Sequence, residues 1–170
     1  MQGYISLQLE ILEPFKGLQS PRRHDSGFDF QETKLPTYWN ISFSKIGLGM
    51  KIGQQINCSG INKQANSLYS LITDVQYCAT SLGRDTWKQL IGPHNSFQPN
   101  CNMEGPNARC TTKSIRIGIL CNNEDDYITC ENWIWCRHLC WRLQQCQNVA
   151  LHGGDNGDRN IRAMGCILVQ

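Results

Sequence analysis

The densest array of reactive side chains runs from Cys130 to Cys146, in the order Cys130, Cys136, His138, Cys140 and Cys146. Four thiols and an imidazole are an adequate inventory for a tetrahedral Zn2+ site. The spacing holds no Cys-x2-Cys pair, the feature that makes a zinc knuckle specific, so disulfides or a packed helix face are the favoured roles. Cys136 and Cys140 would share one helix face with Trp133, with Arg137, Arg142 and Gln144 opposite. Thiol nucleophile chemistry with His138 as base is disfavoured. Neighbours this close on one helix form no nucleophile–base pair, and no third group is present to orient the imidazole.

Hard oxygen donors form the other reactive set. Glu124, Asp125 and Asp126 follow one apolar stretch, and Asp155, Asn156 and Asp158 precede another. Ca2+ takes six to eight such ligands, which makes both loops candidate calcium or ligand sites. Neither fits an EF-hand, and Asp, Asn and Gly are also the residues of any tight turn. A hydrolytic carboxylate pair would need two acids at a fixed separation, and nothing in the spacing provides it. No catalytic residue is assigned, and the chain is expected not to be an enzyme.

Ten cysteines in 170 residues, dispersed and even in number, suit a secreted disulfide framework. Cys58, Cys78, Cys101, Cys110, Cys121, Cys130 and Cys166 are the disulfide candidates. The sequons Asn40-Ile-Ser and Asn57-Cys-Ser add two glycosylation candidates. Met1–Glu10 has no basic region leading into an apolar core, so it is not a signal peptide, and the expectation is a fragment whose start has been lost. A net charge of +2 with no basic run beyond Arg22-Arg23 predicts no nucleic-acid surface. No apolar run approaches the roughly 20 residues of a membrane span.

These residues need elements to hold them. Ile115, Ile117 and Ile119 alternate into Cys121, the best strand signal in the chain. Cys121 and Cys130 are placed to pin the acidic loop between them. Ile161–Gln170 reads as a second core strand and Tyr4–Leu12 as another. Trp39–Lys51 reads as a strand with Asn40 on its solvent face, interrupted by Gly47, Gly49 and Gly53. Leu68, Leu71 and Ile72 sit at helical spacing, as do Trp87, Leu90 and Ile91, with Asp85 as a candidate cap and Gly92-Pro93 as the stop. Pro93–Pro106 reads as a loop that a Cys101–Cys110 bridge would close, and His24 as a solvated histidine. The fold class is α+β: one β-rich domain with short helices and disulfides.

Several strings resemble a known group: Ser67-Leu-Tyr-Ser-Leu-Ile-Thr-Asp, Thr80-Ser-Leu-Gly-Arg-Asp-Thr-Trp-Lys, Asn100-Cys-Asn-Met-Glu-Gly, Ile115-Arg-Ile-Gly-Ile and Asp155-Asn-Gly-Asp-Arg-Asn-Ile-Arg-Ala-Met-Gly-Cys-Ile-Leu-Val-Gln170. They are similar to the cnidarian uncharacterised skeletal organic matrix protein 5-like proteins, which are secreted and carry a fibrinogen-related C-terminal region. The likeness spans most of residues 3–130 and returns at 153–170. It implies a secreted, fibrinogen-related-like domain over 1–170, N-terminally incomplete, without that family's Gly-Gly-Trp-Thr opening. It also implies carbohydrate or a matrix component as partner, and a structural Ca2+.

The segment 131–152 departs from the resemblance and reads as atypical and insert-like. Where the family has Ile-Gly-Phe-Gly, this chain has Asn132-Trp-Ile-Trp-Cys136. Codons for that string, read one nucleotide out of register, include Ile-Gly-Phe-Gly among their translations. A frameshift restored before Gly153 is therefore expected. A transcript with one continuous frame across the segment would remove that explanation.

Overall fold

The computed structural model describes residues 37–124, 128–136 and 146–170. The strand expected over Tyr4–Leu12, together with His24, Asp125, Asp126, His138 and Cys140, lies outside them.

A four-residue helix α1 (Thr37–Asn40) opens the described chain, followed by the hairpin β1 (Phe43–Ile52) and β2 (Gln55–Ala65). Asn40 thus ends a helix and does not lie on a strand; β1 begins three residues later. In β1 the even positions Ile46, Leu48 and Met50 enter the core, while Gly47 and Gly49 fall on the other face. The hairpin closes at Gly53-Gln54, where Ile52 pairs with Gln55 and Gly53 has φ +59°. Such two-residue turns call for this left-handed conformation.

Two helices follow, α2 (Leu68–Thr73) and α3 (Arg84–Ile91). Ser67 caps α2 in a reciprocal box: its Oγ accepts from the Ser70 amide, and the Ser70 Oγ accepts from the Ser67 amide. α3 turns Trp87, Leu90 and Ile91 onto β1 and β2 and stops at Gly92. Its N-cap is Gly83 rather than Asp85, which stands in the first turn in solvent.

The chain then makes an antiparallel meander: β3 (Asn100–Pro106), β4 (Ile117–Asn122), β5 (Asn132–Cys136), β6 (Cys146–Ala150) and β7 (Arg159–Val169). The last strand pairs back onto β1, so the described residues form one sheet of seven strands in the order β2-β1-β7-β6-β5-β4-β3. The strand expected from Ile115, Ile117 and Ile119 is β4, which begins at Ile117 and leaves Ile115 before it; every residue in β4 is buried. Ile117 and Ile119 join the main core with Trp87, Phe97 and Ile134. Leu120 joins a second cluster with Ala108, Ile115 and Cys130. A strand covered on both faces calls for a near-continuous apolar run, and β4 has one from Ile117 to Cys121, before the buried Asn122.

Two features of the middle segment correct the sequence reading. Asn132–Cys136 is a strand, not one flank of an amphipathic helix through Trp133. Cys101 is bonded to Cys121 and Cys110 to Cys130, so neither a Cys101–Cys110 nor a Cys121–Cys130 bridge exists. Each closes a separation of 20 residues, and each contributes about 3 kcal/mol by restricting the unfolded chain. The protein is a β-rich fold with short helices and disulfides.

The outer edge of β3 is not bare. Residues Cys78 and Thr80 donate their amides to the Pro106 and Glu104 carbonyls at 3.0 and 3.1 Å, sealing that edge. The approach requires Gly105, which has φ +117° and where a Cβ would stand 2.3 Å from the Cys78 carbonyl oxygen. Gly105→Ala is expected to lower unfolding free energy in urea by about 2 to 3 kcal/mol, combining backbone strain with overpacking.

Candidate functional site

Pro93–Pro106 reads as loop from the sequence, yet its second half, Asn100–Pro106, is β3, and Asn95, Ser96, Phe97 and Gln98 before it are all buried. The segment has no strand partner, and side chains take the place of one. The Ser96 amide donates to Asn148 Oδ1 at 3.1 Å, and Asn148 Nδ2 returns a bond to the Ser96 carbonyl at 3.2 Å. The carboxamide thereby copies a backbone pair from its place on β6. The Gln98 amide donates to Asn132 Oδ1 at 2.9 Å, from β5. The Phe97 amide donates to Asp155 Oδ1 at 3.0 Å, while the Asp155 amide donates to the Phe97 carbonyl at 3.0 Å. Arg84 on α3 completes the set, with Nη2 to the Phe97 carbonyl at 3.0 Å and Nε to the Gln98 carbonyl at 3.1 Å.

Asp155, read from the sequence as a calcium ligand, therefore has another task. Its carboxylate accepts from Arg84 Nη2 at 2.5 Å and from Lys88 Nζ. Partial burial alone would raise its pKa, but bonds from Lys88, the Phe97 amide and Arg84 outweigh that and bring it down to about 2. Two cations and an amide already occupy the group. The rest of the loop is spoken for as well. Asn156 Nδ2 donates to the Asn95 carbonyl at 2.6 Å, and Asp158 Oδ1 accepts from the Gly153 amide at 3.3 Å. Asp155, Asn156 and Asp158 thus lock their own loop onto α3 and the buried segment.

Glu124 is exposed beyond the end of β4. The structure brings the two loops to one end of the sheet, because Asn123 Nδ2 donates to the His152 carbonyl at 3.2 Å and to Glu131 Oε2 at 3.4 Å. Asn100 Nδ2 holds the Asn123 carbonyl at 2.8 Å. Beneath them Gln98 Nε2 donates to Glu131 Oε2 at 2.7 Å and to the Leu151 and His152 carbonyls at 3.2 Å. Asn100, Asn123, Glu124, Glu131 and His152 make a polar surface fixed from below. Its chemistry is hydrogen bonding.

The Zn2+ arrangement does not form as the spacing allowed. Cys130 is bonded to Cys110, and Cys146 is itself in a disulfide, so two of the four thiols have no thiolate to give a metal. Among the described residues no three His, Cys, Asp or Glu side chains gather to hold an ion. Cys58, Cys78 and Cys166 are free thiols, not members of the disulfide framework. Of the two sequons, Asn57 is engaged: its Nδ2 donates to the Leu90 carbonyl at the end of α3 at 3.2 Å.

A second carboxyl group escaped the sequence reading. Glu104 is buried on β3, with Oε2 accepting from Trp87 Nε1 at 2.5 Å and Oε1 from the Gly83 amide at 3.1 Å. It caps α3 from across the structure, where Gly83 has no side chain to do so. Neither a family model, nor a curated protein, nor a solved structure matches this chain.

Asp155→Ala is expected to cost about 2 kcal/mol in urea unfolding at neutral pH, the scale of lost charge-assisted hydrogen bonds. The pH dependence has a definite sign. The folded carboxyl titrates near 2, below its ordinary 3.8, so its contribution is complete above pH 3.8 and is lost as pH falls towards 2. Unfolding curves of Asp155→Asn should lack that loss over the same interval.

Proposed function

We propose that this protein is a secreted, non-catalytic extracellular binding or matrix module, and that its ligand is carbohydrate or another polyhydroxylated matrix component. The observation that carries the reading is the pinned polar end of the sheet. Cys101–Cys121 ties β3 to β4 directly below Asn100, Asn123 and Glu124, which present amide and carboxylate groups on a fixed base. Disulfides persist in oxidising compartments, which supports an extracellular setting. Preorganised donors and acceptors suit hydroxyl-rich ligands because little ordering entropy is lost on binding.

The strings shared with the cnidarian skeletal organic matrix proteins add to this reading, and we take the chain as fibrinogen-related on their account. Of the two acidic sets, Glu124, Asp125 and Asp126 are the Ca2+ candidates, since the donors at 155–158 serve internal partners. The intracellular zinc domain is disfavoured by the oxidation of Cys130 and Cys146. A hydrolase built on the acidic loops loses Asp155 to Arg84 and Lys88.

The test is alkylation of the protein from a eukaryotic secretory host, followed by mass mapping. Cys101, Cys110, Cys121, Cys130 and Cys146 should stay unlabelled until reduced. Cys58 and Cys78 should label directly, and Cys166 only slowly, because burial and the neighbouring Cys58 push its thiol up to about 12. Free thiols at the paired positions would overturn the extracellular reading. On the same sample, Glu124→Ala should weaken glycan binding about tenfold, the loss of one good hydrogen bond, without changing the melting temperature.

A further inference from the structure

We propose that Asn40 carries an N-linked glycan whose first sugar packs against the aromatic face formed by Trp39 and Tyr69. The inference rests on the extracellular reading above and goes beyond it by naming a modification and what the modification covers. Asn40-Ile41-Ser42 is an acceptor triplet at the end of α1, and all three residues are exposed. The apolar side chains around it are exposed too: Trp39 at 47%, Ile41 at 43% and Tyr69 at 42%. These are three of the six large apolar residues left exposed among the described residues, gathered at one place. Contiguous exposed apolar side chains are the kind of surface that interaction sites use.

The geometry favours a sugar ring as occupant. α1 lies on α2, which brings Tyr69 to Trp39 with ring centroids 4.8 Å apart and planes tilted by 47°. Tyr38 backs them edge-on, 4.8 Å from Trp39 and at 88° to it. Two adjoining rings supported from behind offer an electron-rich face to the C–H side of a pyranose, while the sugar hydroxyls stay in water. A sugar attached at the next residue is held there at high effective concentration, so even a weak contact is populated. The attachment itself is ordinary. Asn40 Nδ2 bonds to C1 of N-acetylglucosamine, the C1–O bond to a lipid-linked pyrophosphate donor breaks, and the amide proton leaves with that pyrophosphate.

Asn57 is the internal contrast. Its Nδ2 donates to the Leu90 carbonyl, and its Oδ1 accepts from Gln55 Nε2 at 3.0 Å. A glycan there would compete with the contact between β2 and the end of α3.

The experiment uses the full chain secreted from a eukaryotic host, with glycopeptide mapping and thermal melting. Asn40 is expected to be occupied and Asn57 bare. Trimming the glycan to a single N-acetylglucosamine should leave the melting temperature unchanged, whereas Asn40→Gln should lower it by about 2 to 4 °C. In a Trp39→Ala, Tyr69→Ala background, adding Asn40→Gln should lower it no further. An oxidised, secreted chain with Asn40 bare overturns the proposal and leaves the extracellular reading standing. So does an occupied Asn40 whose removal shifts melting equally in both backgrounds. Reduced thiols at Cys101 and Cys121 instead overturn the extracellular reading.

Discussion

Ser96, Phe97 and Gln98 pass through the interior with none of their backbone groups in a ladder, and everything around them is arranged to answer those groups. Asn132, Asn148 and Asp155 each receive one amide, and Arg84 reaches two of the carbonyls. A buried amide left unbonded would cost about 1 to 3 kcal/mol, so three of them are comparable to the whole stability of a domain. The constraint therefore reaches in several directions at once. It fixes β5 and β6 through two carboxamides, α3 through a guanidinium, and the 153–158 loop through a carboxylate. Gly154 belongs to the same arrangement, since a Cβ there would stand 2.3 Å from Ser96 Oγ.

The second long-range tie, Glu104 to the start of α3, works in parallel. Trp87 fills the main core and hands its indole proton to Glu104, so the largest buried side chain and the helix terminus are set by one carboxyl group. Asn107 does the converse at α2, donating to the Leu71 carbonyl at 2.9 Å and the Gln76 carbonyl at 3.1 Å. Neither helix exceeds eight residues, and segments this short are marginal alone. Polar side chains from the β3 end of the sheet stabilise both. The polar end of the sheet inherits that rigidity, because Gln98 joins the buried segment to Glu131, Leu151 and His152.

Much of the scaffold was legible in the residues. Ile117 and Ile119 alternate because both enter the main core from one face of β4, and Trp87, Leu90 and Ile91 recur at helical spacing because α3 lies on the sheet. The stop at Gly92-Pro93 is local, so spacing alone reveals it. Asn95–Gln98 was illegible for an instructive reason. Polar residues between two prolines carry the same signature in a solvated loop as in a buried one whose partners are distant in sequence. Asn132 and Asn148 gave no signal as partners, since a carboxamide serves a turn, a cap or a backbone mimic equally well. Asp155 was misread for the same reason: its chemistry suits calcium, and only the positions of Arg84 and Lys88 reassign it. The cysteine pairing was out of reach because the number of possible connectivities grows faster than spacing can restrict it.

The order β2-β1-β7-β6-β5-β4-β3 has a consequence in time. Of the seven strands, the one made last lies between β1 and β6, near the middle of the sheet. Until Arg159–Val169 leaves the ribosome, the β1–β2 hairpin and the β3–β6 meander each hold an unsatisfied inner edge, and at a few residues per second that interval is long on the scale of hairpin formation. Two open edges from one nascent chain can find each other out of register, or find another chain. Cys101–Cys121 and Cys110–Cys130 lie wholly within the earlier portion, so both can close before the gap is filled. A stalled or shortened product would thus be a covalently stapled meander with an adhesive edge, a species for quality control to capture rather than a smaller version of the same protein.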